Sequence, residues 1–365
     1  MSERLPIIDA TAGSGDGAGL AVLPDLKAMT RDELTAFLKE GFGESRFRGD
    51  QIFRWLHMKR ARSVEAMTDL SKKLRQALTE RTRVGGLELE DVRTAQDGTR
   101  KLLLRTAGGD RIESVIIPMD HSFTQCVSSQ VGCKIGCRFC LTARMPLRRN
   151  LSASEIVDQV LWAQEVMGEG ERVGNLVYMG MGEPLDNYEQ VVRSLKILMD
   201  EFGANFSSRR ITVSTSGVVP KLARLGADVP VNLAVSLNAS DDETRTRLIP
   251  INKVWNIEAL IGALHAFPLP PRRRITIEYV LLKGVNDTRA DAERLVKLLR
   301  GLRCKVNLIP FNPWPGAPFE RPEERDVDAF GKIVLDHGFT VTVRYSKGED
   351  IGAACGQLDG NQVAA

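Results

Sequence analysis

Two rhythms of apolar spacing divide the chain. Between residues 23 and 84 the apolar positions recur at helical intervals: RGDQIFRWLHMKR sets Ile52, Phe53 and Leu56 on one side, with Arg54, Lys59 and Arg60 around them. Thr30 and Glu33 have the spacing of a capping box, and Ser71 opens another short, basic, amphipathic helix in SKKLRQALTE. Over 86–117 the rhythm changes to strands, with LELEDVRTA and TRKLLLRT as a pair and RIESVIIP as a third. From about residue 119 strands and helices alternate. The expected strands are FTQCVSSQ, GNLVYMG, RRITVSTSG, VNLAVSLNA, RRITIEYVLL and KVNLIPFN. The expected helices are Ser154–Met167, Tyr188–Glu201, Val219–Leu225, Asp242–Arg247 with Ile257–Ala266, and Arg289–Leu302. A last helix, Val327–Asp336, and a strand in TVTVRYS lead to a Gly/Ala-rich tail.

Six strand–helix repeats point to an α/β fold, a parallel sheet closed or partly closed into a (β/α)6 barrel, behind a small, mainly helical N-terminal domain. A doubly wound open sheet competes with it, but no GxGxxG turn follows an early strand. The expected organisation is a flexible tail over 1–22, an accessory domain over 23–102, the barrel core over 103–348 and a mobile terminal loop over 349–365.

Composition changes this picture little. With 43% hydrophobic and 27% charged residues among 365, the chain is an ordinary globular protein. It has no apolar run long enough to span a bilayer and no secretory leader, so a cytoplasmic location without membrane attachment is expected. Charge adds more. The net value is only +3, yet Lys27 to Arg83 holds 14 basic against 8 acidic residues, and His121 to Leu151 holds five basic residues and no acid. A basic helical region and a basic loop fit a polyanionic partner, although a solvated basic surface reads the same way.

The chemistry concentrates in two places. Cys133-Lys-Ile-Gly-Cys137-Arg-Phe-Cys140 is a C-x3-C-x2-C loop directly after the first barrel strand. Three thiolates on a tight loop suit an iron–sulfur cluster with one iron left open, whereas structural zinc needs a fourth ligand, which His121 or Cys126 could supply. Gly136 lets the loop turn, Phe139 can shield a cluster, and Lys134 and Arg138 would offset its charge. Polar residues then gather at the strand ends: Gly182 and Glu183, Ser214 and Ser216, Ser236 and Asn238, and Asn312. In a barrel these ends share the C-terminal mouth, where active sites are built.

The cysteine spacing, with an aromatic before the last cysteine, resembles the radical S-adenosylmethionine superfamily, and MGMGEP resembles its cofactor-binding loop. QCVSSQVGCKIGCRFCLTA, VYMGMGEPLDN, ITVSTSG, AVSLNA, ITIEYVLLKGVND, LIPFNPWPG and RYSKGEDIGAACGQL narrow the resemblance to the dual-specificity bacterial 23S rRNA/tRNA adenine C2-methyltransferases, over about residues 23 to 359. The resemblance implies a [4Fe–4S] cluster on Cys133, Cys137 and Cys140. It implies S-adenosylmethionine, two per turnover, at Gly182, Glu183, Ser214, Ser236, Leu237, Asn238 and Asn312. It makes Cys355 the methyl carrier, Cys126 its resolving partner and Glu113 the proton acceptor.

The reason for a carrier is chemical. Carbon 2 of adenine is electron-poor and does not attack a sulfonium methyl group, whereas a thiolate does. Cys355 would take a methyl group, radical chemistry would join it to carbon 2, and Cys126 would release the product through a transient disulfide. The implied partners are 23S rRNA, tRNA and a flavodoxin-like electron donor, with the chain acting as a monomer. Arg148, Arg149 and Arg272 to Arg274 are candidate phosphate contacts, and Arg344 and Asp350 candidate anchors of the terminal loop. A sister activity at carbon 8 uses the same cysteines. A zinc-stabilised RNA-binding protein and a radical enzyme of small molecules are readings from other classes.

Overall fold

The computed structural model describes residues 23–360; the tail expected over 1–22 lies outside the described residues. The N-terminal unit comprises α1 (Arg31–Phe42), α2 (Arg46–His57) and α3 (Lys72–Arg81). The Thr30/Glu33 capping box forms, and Ser71 caps α3 through the Leu74 amide. Then come β1 (Leu87–Thr94), β2 (Arg100–Thr106), β3 (Arg111–Pro118) and β4 (Phe123–Cys126), followed by a short β5 (Gln130–Val131) and β6 (Arg149–Asn150).

The remaining elements alternate: α4 (Ala153–Val166), β7 (Val173–Tyr178), α5 (Tyr188–Met199), β8 (Ile211–Thr215), α6 (Val219–Asp228), β9 (Asn232–Ser236), α7 (Asp242–Leu248), α8 (Ile257–His265), β10 (Ile275–Leu281), α9 (Arg289–Leu298), β11 (Cys304–Pro310), α10 (Glu324–Asp336) and β12 (Val341–Val343). Among the described residues, no helix is long and apolar enough to cross a membrane.

One ten-stranded sheet runs β1-β2-β3-β4-β7-β8-β9-β10-β11-β12. It is antiparallel from β1 to β4 and parallel from β4 to β12. The parallel part is the expected barrel sheet, with the strand in TVTVRYS added beyond the six repeats. Its edges are β1 and β12, so the sheet is partly rather than fully closed. β10 is an interior strand of the parallel part, and six of its seven residues are buried, as befits a strand covered on both faces. The helices pack on it through stripes such as Val327, Phe330 and Val334 of α10.

The domain boundary expected at residue 102 falls inside β2. The antiparallel ladders make β1 to β3 a continuation of the barrel sheet, so the separate helical unit ends before Leu87. That unit is fastened to the barrel by a fully buried ion pair, Lys27 Nζ to Asp158 Oδ1 at 2.8 Å, and Asp158 also accepts the Leu87 amide at 2.7 Å. At the other end the chain leaves β12 and crosses to the opposite edge. There Gly348 N donates to Asp97 Oδ2 (2.9 Å), Asp350 Oδ2 accepts from Gln96 N (3.0 Å), and Lys347 Nζ donates to the Pro118 carbonyl (2.8 Å). Residues 345–360 are therefore a strap between the two edges of the open barrel.

Candidate active site

The cysteine loop is pinched at its base, where β5 and β6 pair antiparallel and a side chain at Gly132 would run into the Pro146 carbonyl. Residues between them project over the C-terminal mouth. Arg138 N donates to the Leu248 carbonyl at 3.0 Å, and Trp314 Nε1 donates to the Phe139 carbonyl at 3.2 Å. Beneath lies an apolar cluster of Ile135, Leu248, Ile249, Val280, Leu282, Ile309, Phe311 and Trp314, on which Cys133, Cys137 and Phe139 pack. Cys133, Cys137 and Cys140 are free, half-buried thiols that line one cavity. Among the described residues, no group of three or more His, Cys, Asp or Glu side chains is placed to hold a single metal ion. Three thiols along the wall of a cavity, on an apolar bed, fit a cluster with an open side.

Burial pushes the Cys133 thiol up to about 12 and the Cys137 and Cys140 thiols in the same direction, with the neighbouring cysteines adding to the first two. A bound cation reverses that balance, because metal coordination deprotonates a thiol outright. Lys134, expected to offset the charge of a cluster, pairs with Asp186 at 2.7 Å and does not line the cavity. The buried cation beside Cys137 is Arg245, which is fully buried and was not singled out by sequence. It donates to the carbonyls of Ser216 (2.7 Å) and Leu237 (3.1 Å) and to Asn252 Oδ1 (2.8 Å), joining the ends of β8 and β9. Burial lowers its pKa to about 10, and Cys137 opposes that shift.

The strand ends meet as expected. Gly182, Glu183, Ser214, Ser216, Ser236, Asn238 and Asn312 all line the cysteine cavity. Gly182 adopts φ +101°, and a side chain there would meet the Gln130 backbone nitrogen at 2.8 Å. Glu183 is buried and accepts from Ser216 N (2.7 Å), Ser216 Oγ (2.8 Å) and Leu185 N (3.0 Å), while burial raises its pKa. Asn238 stands in the left-handed region at φ 55°, held by its Oδ1 accepting from Val280 N at 2.7 Å. Leu237 departs from the set. Its side chain is buried in the main core, it does not line the cavity, and its amide and carbonyl are taken by the Glu278 carbonyl and Arg245.

The strap carries Cys355 into the same cavity, where Cys126, from the end of β4, also opens. Asn312 Nδ2 donates to the Cys355 carbonyl (3.0 Å), Leu141 N to the Gly356 carbonyl (2.8 Å), and Thr142 Oγ1 to the Leu358 carbonyl (2.5 Å). Burial pushes the Cys126 thiol up to about 12; Cys355 is exposed as a residue, but desolvation where it lines the cavity raises its thiol too, and Arg344, another lining residue, opposes both shifts. Arg344 thus faces the cavity rather than anchoring the strap.

Glu113 does not line the cavity. It is buried on β3, pairs with Lys101 Nζ at 2.9 Å, and its Oε2 accepts from the Asp359 (2.9 Å) and Gly360 (3.3 Å) amides of the strap. Burial raises its pKa and Lys101 opposes the rise. Glu278 does line the cavity, and sequence reading passed over it. Its signal was a lone acid inside an apolar strand, ITIEYVLL. Arg245 had no such signal, since nothing local separates it from Arg247 in DETRTRL.

The candidate phosphate contacts are largely engaged. Arg148 and Arg149 both pair with Asp110, and Arg149 also pairs with Glu155. Arg273 donates to Ser208 Oγ at 3.0 Å and Arg274 to Thr340 Oγ1 at 2.7 Å.

Comparison with known proteins accounts for both halves of the chain. Residues 24–84 match the ribosomal RNA large subunit methyltransferase N-terminal domain, and residues 127–299 match the radical SAM superfamily. A dual-specificity RNA methyltransferase RlmN from Geotalea uraniireducens is 51% identical over 336 residues, 92% of this chain and 96% of that protein. The same-named protein of Geobacter sulfurreducens is also 51% identical, over 92% of each chain. The crystal structure of a radical SAM methyltransferase from Sphaerobacter thermophilus, 45% identical, superposes with a TM-score of 0.86 over 93% of this chain and 100% of that one. With a relative this similar over nearly its whole length, the chain belongs to the RlmN family of radical S-adenosylmethionine RNA methyltransferases.

Proposed function

We propose that the protein methylates carbon 2 of an adenosine in 23S rRNA and in tRNA, with Cys355 as the methyl carrier. The observation that carries the carrier mechanism is the convergence of Cys126 and Cys355, 229 positions apart in numbering but lining one cavity with the three loop cysteines, while the choice of carbon 2 over carbon 8 follows the sequence resemblance. A plain S-adenosylmethionine methyltransferase has no use for a strap that delivers a thiol to a cluster loop.

Cys133, Cys137 and Cys140 would hold the [4Fe–4S] cluster, and Gly182, Glu183, Ser214, Ser236, Asn238 and Asn312 the cofactor, with Leu237 behind them in the core. When bound, the cluster and S-adenosylmethionine supply a methyl donor and a source of the 5′-deoxyadenosyl radical. The chain's own residues do the rest. The Cys355 sulfur attacks the sulfonium methyl group, and S-adenosylhomocysteine leaves with the electron pair. Asn312 holds the Cys355 carbonyl while this happens. The same residues would hold a second S-adenosylmethionine as the source of the radical. Glu113 takes the ring proton after the strap has freed its carboxylate from the Asp359 and Gly360 amides. Cys126, as thiolate, would then attack the Cys355 sulfur. The sulfur–carbon bond breaks with its electron pair on the carbon joined to the base, and that carbon takes a proton to become the methyl group. A thiol reductant returns the resulting disulfide to two thiols, while a flavodoxin-like donor supplies the electron for the next turnover. The basic α1 to α3 unit neutralises RNA phosphates, and the target base enters unstacked.

The test is anaerobic purification of wild type and Cys355→Ala, with iron and sulfide assays and nucleoside mass spectrometry of treated rRNA and tRNA. About four irons per chain in both proteins, with 2-methyladenosine from wild type alone, is the expected result. An 8-methyladenosine product moves the reading to the sister activity. Product from Cys355→Ala removes the carrier step, and zinc in place of iron returns the RNA-binding protein.

A further inference from the structure

One ion pair lies under the strap and reaches both ends of the segment that carries Cys355. Lys101 on β2 and Glu113 on β3 are 4% and 1% exposed, with Lys101 Nζ 2.9 Å from Glu113 Oε1. Sheet register brings them together. Lys101 lies opposite Val115, two residues from Glu113, so the two side chains share one face of the sheet and meet diagonally. Val115 in turn lies opposite Cys126 on β4, and both line the cavity. The face that holds the pair is therefore the face that presents Cys126.

Each member of the pair holds one end of the loop above it. Lys101 Nζ donates to the Gly352 carbonyl at 3.3 Å, and Glu113 Oε2 accepts from the Asp359 and Gly360 amides at 2.9 and 3.3 Å. The chain turns at both places through a glycine in the left-handed region, Gly352 at φ 62° and Gly360 at φ 69°. Residues 353–358 are thus closed into a loop whose two ends rest on one buried charge pair. Stability does not call for such a pair. Its neighbours Leu103 and Val115 are buried and apolar, and two more apolar residues would serve as well, because both charges must be stripped of water. What the pair adds is direction: a cation for a carbonyl at one end, and a carboxylate for two amides at the other.

We propose that Lys101 is a positioning residue for methyl transfer: with Glu113 it clasps both ends of residues 353–358 and so sets where the Cys355 sulfur stands when it accepts the methyl group. The inference rests on the carrier role given to Cys355 above. Two contacts inside the loop complete the pose, Asn312 Nδ2 on the Cys355 carbonyl and Leu141 N on the Gly356 carbonyl. The clasp also orders two tasks. While the loop is down, the Glu113 carboxylate is taken by Lys101 and the strap amides. Lifting the loop moves the thiol and uncovers that carboxylate in one event, because the same contacts hold both.

The experiment has two readouts on the cluster-loaded enzyme. One is S-methylation of Cys355 with S-adenosylmethionine and no RNA, followed by peptide mass spectrometry against time; this half-reaction makes no use of Glu113 as a proton acceptor. The other is amide hydrogen exchange over 353–358. Lys101→Met combined with Glu113→Leu removes the clasp without leaving a lone buried charge, so the protein should keep its fold, its iron and its unfolding midpoint. Methylation is expected to fall about 10-fold or more, as for any misplaced nucleophile, and exchange over 353–358 to quicken about 10-fold. Lys101→Met combined with Glu113→Gln keeps an acceptor for the Asp359 and Gly360 amides, and should fall between that variant and wild type on both readouts. A pair that only supports the sheet predicts a lower unfolding midpoint with both readouts unmoved in the folded enzyme, and that result overturns the proposal. Slowed methylation with unchanged exchange overturns it too, since the loop would not be the cause. Should the first variant lose iron, the second decides: slowed methylation and quicker exchange at full iron content support the proposal, and wild-type values reject it. If wild type places no methyl group on Cys355, the carrier reading fails first and the inference falls with it.

Discussion

The N-terminal helical unit and the C-terminal strap both lie against the barrel, but they are attached by different physics. The helical unit shares the main apolar core through Leu26, Leu34, Leu38, Ile52, Phe53, Leu56 and Leu78. It adds the buried Lys27–Asp158 pair and a stack of Arg62 on Trp162 at 3.6 Å. The strap buries only Ala353, Ala354 and Leu358 among its apolar residues, and depends on hydrogen bonds to its own backbone from Leu141, Thr142, Asn312 and Lys101, and on its amides reaching Glu113. Apolar burial is additive and hard to undo in parts, whereas a hydrogen bond exchanged with water contributes about 1 kcal/mol net. The helical unit is therefore built as a fixed platform. The strap is built to be held in place and released, as the carrier role proposed for Cys355 would require.

Removing one partner of the buried pair should break the platform most severely. Asp158→Ala leaves Lys27 and the Leu87 amide without their acceptor, and is expected to cost about 3–5 kcal/mol in urea unfolding. A loss below about 1 kcal/mol would show that the pair does not fasten the unit. Acid should act next. His57 is buried against Phe53, with ring centroids 4.4 Å apart, and burial lowers its pKa from 6.5 to about 3. The unfolded chain thus binds a proton that the folded chain refuses, so stability is full above pH 6.5 and falls as pH drops toward 3, by about 1.4 kcal/mol per unit. Unfolding at pH 7 and pH 5 should differ by about 2 kcal/mol from this group, and His57→Phe should flatten that part of the slope. The strap should answer to the smallest change. Asn312→Ala removes one bond to the Cys355 carbonyl, so amide exchange over 353–358 should quicken while global stability moves by about 1 kcal/mol. Exchange that stays slow would mean the strap is held by packing, as the platform is.

Much of this was legible in the residue order. Thr30 with Glu33, the stripe of Val327, Phe330 and Val334, and the apolar run of β10 each encode their element locally, so the alternation of strands and helices could be read without coordinates. The cysteine loop was equally legible, because its three thiols lie within eight residues and their spacing alone brings them together. The boundary at residue 102 was not. A meander reads the same whether it stands alone or extends a neighbouring sheet, and only the pairing of β3 with β4 decides.

The charged residues around the cavity divide in the same way. The sequence by itself determined the elements, the barrel-type order and the positions of Cys133, Cys137 and Cys140, since these follow from propensity and spacing over a few residues. Only the tertiary structure decided that Lys134 pairs with Asp186 while Arg245 is buried beside Cys137, that Glu113 is clasped by Lys101 and the strap, and that Glu278 reaches the cavity through Asn307 and Thr342. Each joins side chains from separate elements, two loops, a helix and a loop, or neighbouring strands and the strap, and such meetings are fixed by the packing of the whole sheet and its helices, not by any local run of residues.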